Sequence, residues 1–204
     1  MGLGKGDETR PGTSPGLAWL LPGSIVLLAL VLLGSGDAGR QWLRFDRSGI
    51  AAGEAWRLLT GHLVHLGASH AALNLAGLAL VWFLVGPAFS GRQWLWIMAG
   101  SVAAIDIGLW FGVPSVHWYV GLSGLLHGML AAGIVAGLAG RNTEAVFLAV
   151  VVAVKLAWEQ FAGPLPGSEA TSGGAVIVDA HLYGFIGGTL VAVTLIRVRA
   201  RPPI

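Results

Sequence analysis

The sequence predicts an all-α membrane protein of six transmembrane helices, on three observations. Of its 204 residues, 55% are hydrophobic and only 11% are charged. A soluble domain carries about 25% charged residues, so lipid rather than water covers most of this surface. Six apolar stretches, about 17–35, 68–89, 93–112, 121–140, 143–162 and 178–197, approach the roughly 20 residues that a helix needs to cross a bilayer. The 32 glycines are too many for lipid-facing filler. In membrane helices small residues mark surfaces where backbones touch, which implies a tightly packed bundle. The absence of cysteine excludes disulfides, thiolate metal sites and cysteine lipidation. A net charge of +2 is too small and too scattered for a nucleic-acid surface.

Residues 1–16, MGLGKGDETRPGTSPG, are polar and rich in Gly and Pro, and read as a disordered cytoplasmic N-terminus. The first apolar stretch follows acidic residues and lacks a small-x-small cleavage site, so it reads as an uncleaved helix rather than a signal peptide. With both termini in the cytoplasm, that side holds Lys5, Arg10, Arg92, Arg141, Arg197, Arg199 and Arg201. The outer side holds Arg40, Arg44, Arg47 and Arg57. This asymmetry favours a multi-pass protein of a bacterial inner membrane with residues 199–204 as a cytoplasmic tail. The long first outer loop, 37–67, mixes Trp42, Leu43, Phe45, Ile50 and Trp56 with charges, a composition suited to lying in the membrane interface. Residues 17–198 form one domain, without repeats.

Polar residues at membrane depth call for a functional explanation, because each costs free energy there unless it finds a partner. The second helix carries His62, His65, His70 and Asn74 at its start, and the last two share a face. The fourth carries Ser123 and His127, four apart; the sixth opens with Asp179 and His181. Ser123, His181 and His70 then lie in the same outer half of the bilayer. A serine hydroxyl becomes a nucleophile when a base within about 2.6–3.2 Å takes its proton. Gly124 and Gly128 beside Ser123, and Gly184 and Gly188 beside His181, form two small-x-x-x-small faces that let these helices approach closely enough. The Ser123 N–H in the first helical turn, with His70 and Asn74, offers donors for an oxyanion. Asp179 reads as the cap of the sixth helix. Lys155 and Glu159, four apart in an apolar stretch, read as an intrahelical pair or as snorkelling side chains. With Asp106 they would serve a small transporter, but no internal symmetry supports one. His62, His65 and His70 match no metal-site pattern; neither metal nor cofactor is expected.

Together these residues resemble the rhomboid family of intramembrane serine proteases. The matching motifs are Glu54-Ala55-Trp56-Arg57 in the outer loop, His65, His70 and Asn74 in the second helix, Gly121-Leu122-Ser123-Gly124 opening the fourth, and His181 with Gly184 and Gly188 in the sixth. The resemblance implies a six-helix rhomboid-like bundle with a half-embedded first outer loop, in which Ser123 is the nucleophile and His181 the general base without an acidic third partner. It makes His70, Asn74 and the Ser123 N–H the oxyanion hole, and residues 163–177 a mobile cap. Where many rhomboids stack an aromatic residue on the catalytic histidine, this chain has His127, expected to lie beneath His181 and fix its ring.

The run GLSGLLHG, the stretch WRLLTGHLVHLGASHAALN and KLAWEQ at 155–160 look closest to the rhombosortase subgroup. That likeness implies transmembrane protein substrates with a Gly-Gly segment, a hydrophobic span and a basic tail. Glycine weakens a helix by about 1 kcal/mol relative to alanine, so such a segment unwinds readily for cleavage. A general rhomboid protease with other membrane substrates, or a catalytically silent rhomboid-like binder, are the alternatives.

Overall fold

The computed structural model describes residues 19–199; the two predicted terminal tails, 1–16 and 199–204, fall outside that range except for Arg199. Six apolar helices dominate: α1 (Leu20–Gly34), α5 (Ala68–Val85), α6 (Gly91–Ile107), α7 (Ser123–Ala139), α8 (Thr143–Ala162) and α10 (Val178–Arg199). Between α1 and α5 lie the short helices α2 (Gly36–Leu43), α3 (Arg47–Ala51) and α4 (Arg57–Thr60), and α9 (Ser168–Ser172) lies between α8 and α10. Four segments, Ala68–Ala88, Gly91–Gly112, Thr143–Ala162 and Val178–Val198, are long and apolar enough to cross a membrane. Outward-facing Leu80, Phe83, Phe111, Phe147 and Val154 give them the apolar surface that lipid requires. Two predicted spans are shorter than expected. After Gly34 the chain bends by 117° into α2, through Gly36 at a positive φ of 66°, a conformation glycine adopts without steric cost. The fourth apolar helix, α7, has 17 residues, about 25 Å long, against 22 residues in α10.

α7 is the centre of the bundle, with Gly124, Leu125, Leu126, Gly128, Met129, Ala131, Ala132, Gly133 and Ile134 all buried. It packs most extensively against α10, which in turn packs on α6. The seam is backbone on backbone. A Cβ placed at Gly184 would collide with the Gly124 carbonyl, and one at Gly188 with the Gly128 carbonyl. On the adjacent face of α10, a Cβ at Gly187 would meet the Gly100 carbonyl and the Ser101 backbone of α6.

The loop before α5 is built around its arginines. Phe45–Asp46 (β1) pairs antiparallel with Trp118–Tyr119 (β2), Phe45 opposite Tyr119. The Asp46 side chain caps α3 by accepting from the Gly49 N–H. The Ser48 hydroxyl, the Gly49 N–H and Arg44 hold its carboxyl down to about 2, against the opposing effect of burial. Arg57, only 7% exposed, pairs with Glu54 and donates to the carbonyls of Gln41 (2.9 Å) and Arg44 (3.0 Å). Arg47 donates to the carbonyls of Trp110 (2.9 Å) and Leu109 (2.7 Å) and lies over the Trp110 ring; Arg40 reaches the Leu66 carbonyl at 2.6 Å. Three of the four loop arginines, Arg40, Arg47 and Arg57, are therefore held by main-chain carbonyls, and the fourth, Arg44, pairs with Asp46 at 2.9 Å. Trp56 is exposed and packs on Trp42, ring centroids 5.4 Å apart.

Candidate active site

Three helices bring the principal side chains together. α7 begins at Ser123, preceded by Gly121 at φ 123°. Its short length leaves Ser123 at the head of a helix enclosed by longer neighbours. α10 carries His181 one turn from its start, and the glycine seam sets the two helices in contact. His181 Nε2 lies 2.9 Å from Ser123 Oγ, and His181 is 5% exposed.

The other edge of the His181 ring meets a carboxylate. Its Nδ1 is 3.0 Å from Glu159 Oε2, and the second oxygen of Glu159 accepts from Lys155 Nζ at 2.7 Å. The expectation of a site without an acidic partner is thus corrected. The helical Lys155–Glu159 pair does form, but Glu159 is only 3% exposed and turns inward rather than snorkelling. A carboxylate accepts from Nδ1 only if that nitrogen carries the ring proton, which leaves the Nε2 lone pair facing the Ser123 hydroxyl. Asp179 is two residues away but lies inside the first turn of α10, not at its cap.

The His127 ring stacks on His181, centroids 4.2 Å apart and planes inclined by 16°. The expected position beneath His181 is the observed one. The hydrogen bond of His127 goes elsewhere: its Nδ1 pairs with the Ser123 carbonyl at 2.7 Å, an acceptor that assigns the proton to Nδ1.

His70 and Asn74 face the loop that leads to Ser123. His70 Nδ1 accepts from the Leu66 N–H at 3.2 Å, so Nε2 bears the proton. The Nε2 edge points at Gly121, where an added Cβ would sit 3.0 Å from it and 3.8 Å from Asn74 Nδ2. Asn74 Nδ2 gives one N–H to the His70 carbonyl at 3.2 Å and keeps the other. Gly121 is itself held by its N–H to the Gly61 carbonyl, 3.0 Å.

Sequence reasoning missed two residues here. In the sequence Glu159 pairs only with Lys155, and its place near the C-terminal end of α8 does not say that it faces His181. Tyr119 is fully enclosed, donates to the Gly121 carbonyl at 2.6 Å, and touches Gly124; burial pushes its phenol pKa up. It fixes the turn before Ser123, and a lone tyrosine in a loop gives no sequence signal of that.

The remaining polar groups lie apart. His62 Nε2 pairs with Asp106 Oδ1 at 3.1 Å, and His65 packs edge-on against His70 with both ring nitrogens unpartnered. Burial, then the neighbouring His70, pulls the His65 pKa down to about 4. Among the described residues, His127, Glu159 and His181 have donor atoms close enough to hold a metal ion. Their hydrogen bonds already occupy both Glu159 oxygens, both His181 nitrogens and His127 Nδ1, and Lys155 adds a positive charge beside them.

A rhomboid domain family model matches residues 52–198. YdcA of Bacillus subtilis (strain 168), which bears a rhomboid protease name, is 26% identical over 157 residues, 75% of this chain and 73% of YdcA. Rhomboid protease GluP of the same organism is 28% identical over 156 residues, 74% of this chain but 28% of GluP. An uncharacterized protein of Mycobacterium leprae (strain TN) is 28% identical over 207 residues, 95% of this chain and 78% of that protein.

Proposed function

Since the chain belongs to the rhomboid family and is a multi-pass membrane protein, we propose that it is an intramembrane serine endopeptidase with Ser123 as nucleophile and His181 as general base. The observation that carries this reading is the 2.9 Å contact between Ser123 Oγ and His181 Nε2. Ser123 Oγ attacks the scissile carbonyl carbon while its proton passes to His181 Nε2. The oxyanion receives hydrogen bonds from His70 Nε2–H, the free Asn74 N–H and the Ser123 N–H. The C–N bond then breaks as His181 returns the proton to the leaving nitrogen, and water or an amine resolves the acyl-enzyme.

The substrates are transmembrane proteins whose span opens with a Gly-rich segment, the rhombosortase-like class. The space between Gly121, His70 and Asn74 supports this: a Cβ added at Gly121 would already meet His70, and a glycine backbone needs least room there. All six apolar helices cross the inner membrane, with both termini cytoplasmic and the site opening outward. The outer loop lies half-embedded, the paired Trp42 and Trp56 resting in the interface where amphipathic rings are favoured. Residues 163–177 cover the site.

A fluorophosphonate probe should label the purified protein, and co-expression with a Gly-Gly-tagged transmembrane substrate should yield a cleaved product. Both signals should vanish in Ser123→Ala and His181→Ala. Labelling that persists in Ser123→Ala sinks the assignment. Equal cleavage of substrates with and without the Gly-Gly pair would leave a rhomboid protease of broader specificity.

A further inference from the structure

We propose that Glu159 is a positioning acid for His181, with Lys155 holding it charged, so that Lys155, Glu159, His181 and Ser123 act as one hydrogen-bonded line across α8, α10 and α7. This role rests on the protease reading above.

Three observations carry it. Glu159 is 3% exposed within an apolar helix, where a charge is tolerated only if its oxygens are fully partnered. A surface-type pair with Lys155 would occupy one oxygen and leave the other buried and bare. Here Oε1 accepts from Lys155 at 2.7 Å and Oε2 from His181 at 3.0 Å, so burial and geometry are accounted for together. The ring is held at both nitrogens and on one face: Glu159 at Nδ1, Ser123 at Nε2, and His127 stacked on it. That leaves His181 one orientation and one tautomer, with the Nε2 lone pair toward the hydroxyl. Charge favours the same arrangement. At rest Lys155 and Glu159 form a neutral pair. When Ser123 Oγ bonds to the carbonyl carbon, its proton moves to Nε2 and the ring becomes cationic. The Nδ1 proton stays on nitrogen, and the Glu159 carboxylate faces the new cation in a medium of low dielectric, where such an interaction is strongest.

The test uses the full chain in proteoliposomes with a Gly-Gly transmembrane substrate, comparing wild type, Ser123→Ala, Glu159→Gln, Glu159→Asp, and the double variant Lys155→Met with Glu159→Gln. Replacing the acid of a hydrolase triad costs on the order of 10⁴-fold in turnover. We expect Glu159→Gln to lower kcat by roughly 10²- to 10⁴-fold with KM within about threefold of wild type. Glu159→Asp should recover at least about tenfold of that loss by keeping the charge. The double variant leaves no unpaired charge, so it should stay folded and remain as slow as Glu159→Gln. The role is overturned if Glu159→Gln, or the folded double variant, keeps kcat within about fivefold of wild type. It is also overturned if Asp does no better than Gln. In those cases Ser123-dependent cleavage by the wild type leaves the protease reading standing. A wild type without Ser123-dependent cleavage overturns both.

Discussion

The imidazoles of His127 and His181 lie face to face, 4.2 Å between centroids, while His127 Nδ1 bonds the carbonyl of Ser123. One residue thus braces both members of the proposed reactive pair. Its two contacts can be separated by substitution. His127→Phe keeps a stacking ring and loses the hydrogen bond, a loss of about 0.5–1.5 kcal/mol, so kcat should fall by up to about tenfold. His127→Ala removes both contacts and should be slower still. Steady-state cleavage rates check the order; a fully active Phe variant would show that stacking alone suffices.

The α7–α10 seam predicts a sharp intolerance to bulk. Gly188→Ala places a methyl group on the Gly128 carbonyl, and neither backbone can yield without parting the helices. Overpacking of this kind costs about 1–3 kcal/mol or more. Thermal unfolding in detergent should show a lowered midpoint, and Ser123 labelling should fall with it. Gly91→Ala, at the start of α6, where a Cβ would meet open space, should cost far less and leave labelling intact.

Loss of a proposed oxyanion donor should appear in turnover. His70→Ala and Asn74→Ala should each lower kcat by about 10²–10³, with KM little changed and the fold retained. Fluorophosphonate labelling should slow in parallel, because the probe's oxygen occupies the same donors. A variant that loses KM and kcat equally would mark that side chain as a substrate contact instead.

His65 predicts an acid limit to stability. Its pKa is depressed in the fold to about 4 from the usual 6.5, so the folded state disfavours the proton. The contribution from a neutral His65 is present in full above about pH 6.5 and is lost as pH falls toward 4. Unfolding midpoints between pH 7 and 5 should decline in the wild type and decline less in His65→Phe, which keeps the edge-on packing and has no proton to gain. Identical slopes in the two proteins would refute the assignment.

Much of this arrangement was legible in the chain. Apolar length located the helices, and the paired glycine faces implied that the helices bearing Ser123 and His181 touch, which Gly184 and Gly188 show in detail. Glu159 was illegible for a local reason: a lysine one turn away gave it a sufficient partner, and which face of α8 turns inward depends on α7 and α10, not on α8. Asp106 hid its partner His62 similarly, across 44 positions of sequence. The outer-loop arginines misled by number, since only the fold reveals that Arg47 and Arg57 are spent on carbonyls. The bend at Gly36 and the two-residue strands are too brief to leave a periodic signature.

Where α7 and α10 meet, main chain rests directly on main chain. The spacing of alcohol and imidazole is therefore gauged by peptide groups rather than by rotamers that could relax one by one. Warming or a change of lipid can loosen side chains around the periphery without detuning the pair. A protein built this way keeps full alignment up to the temperature at which those two helices separate, and then loses it all at once.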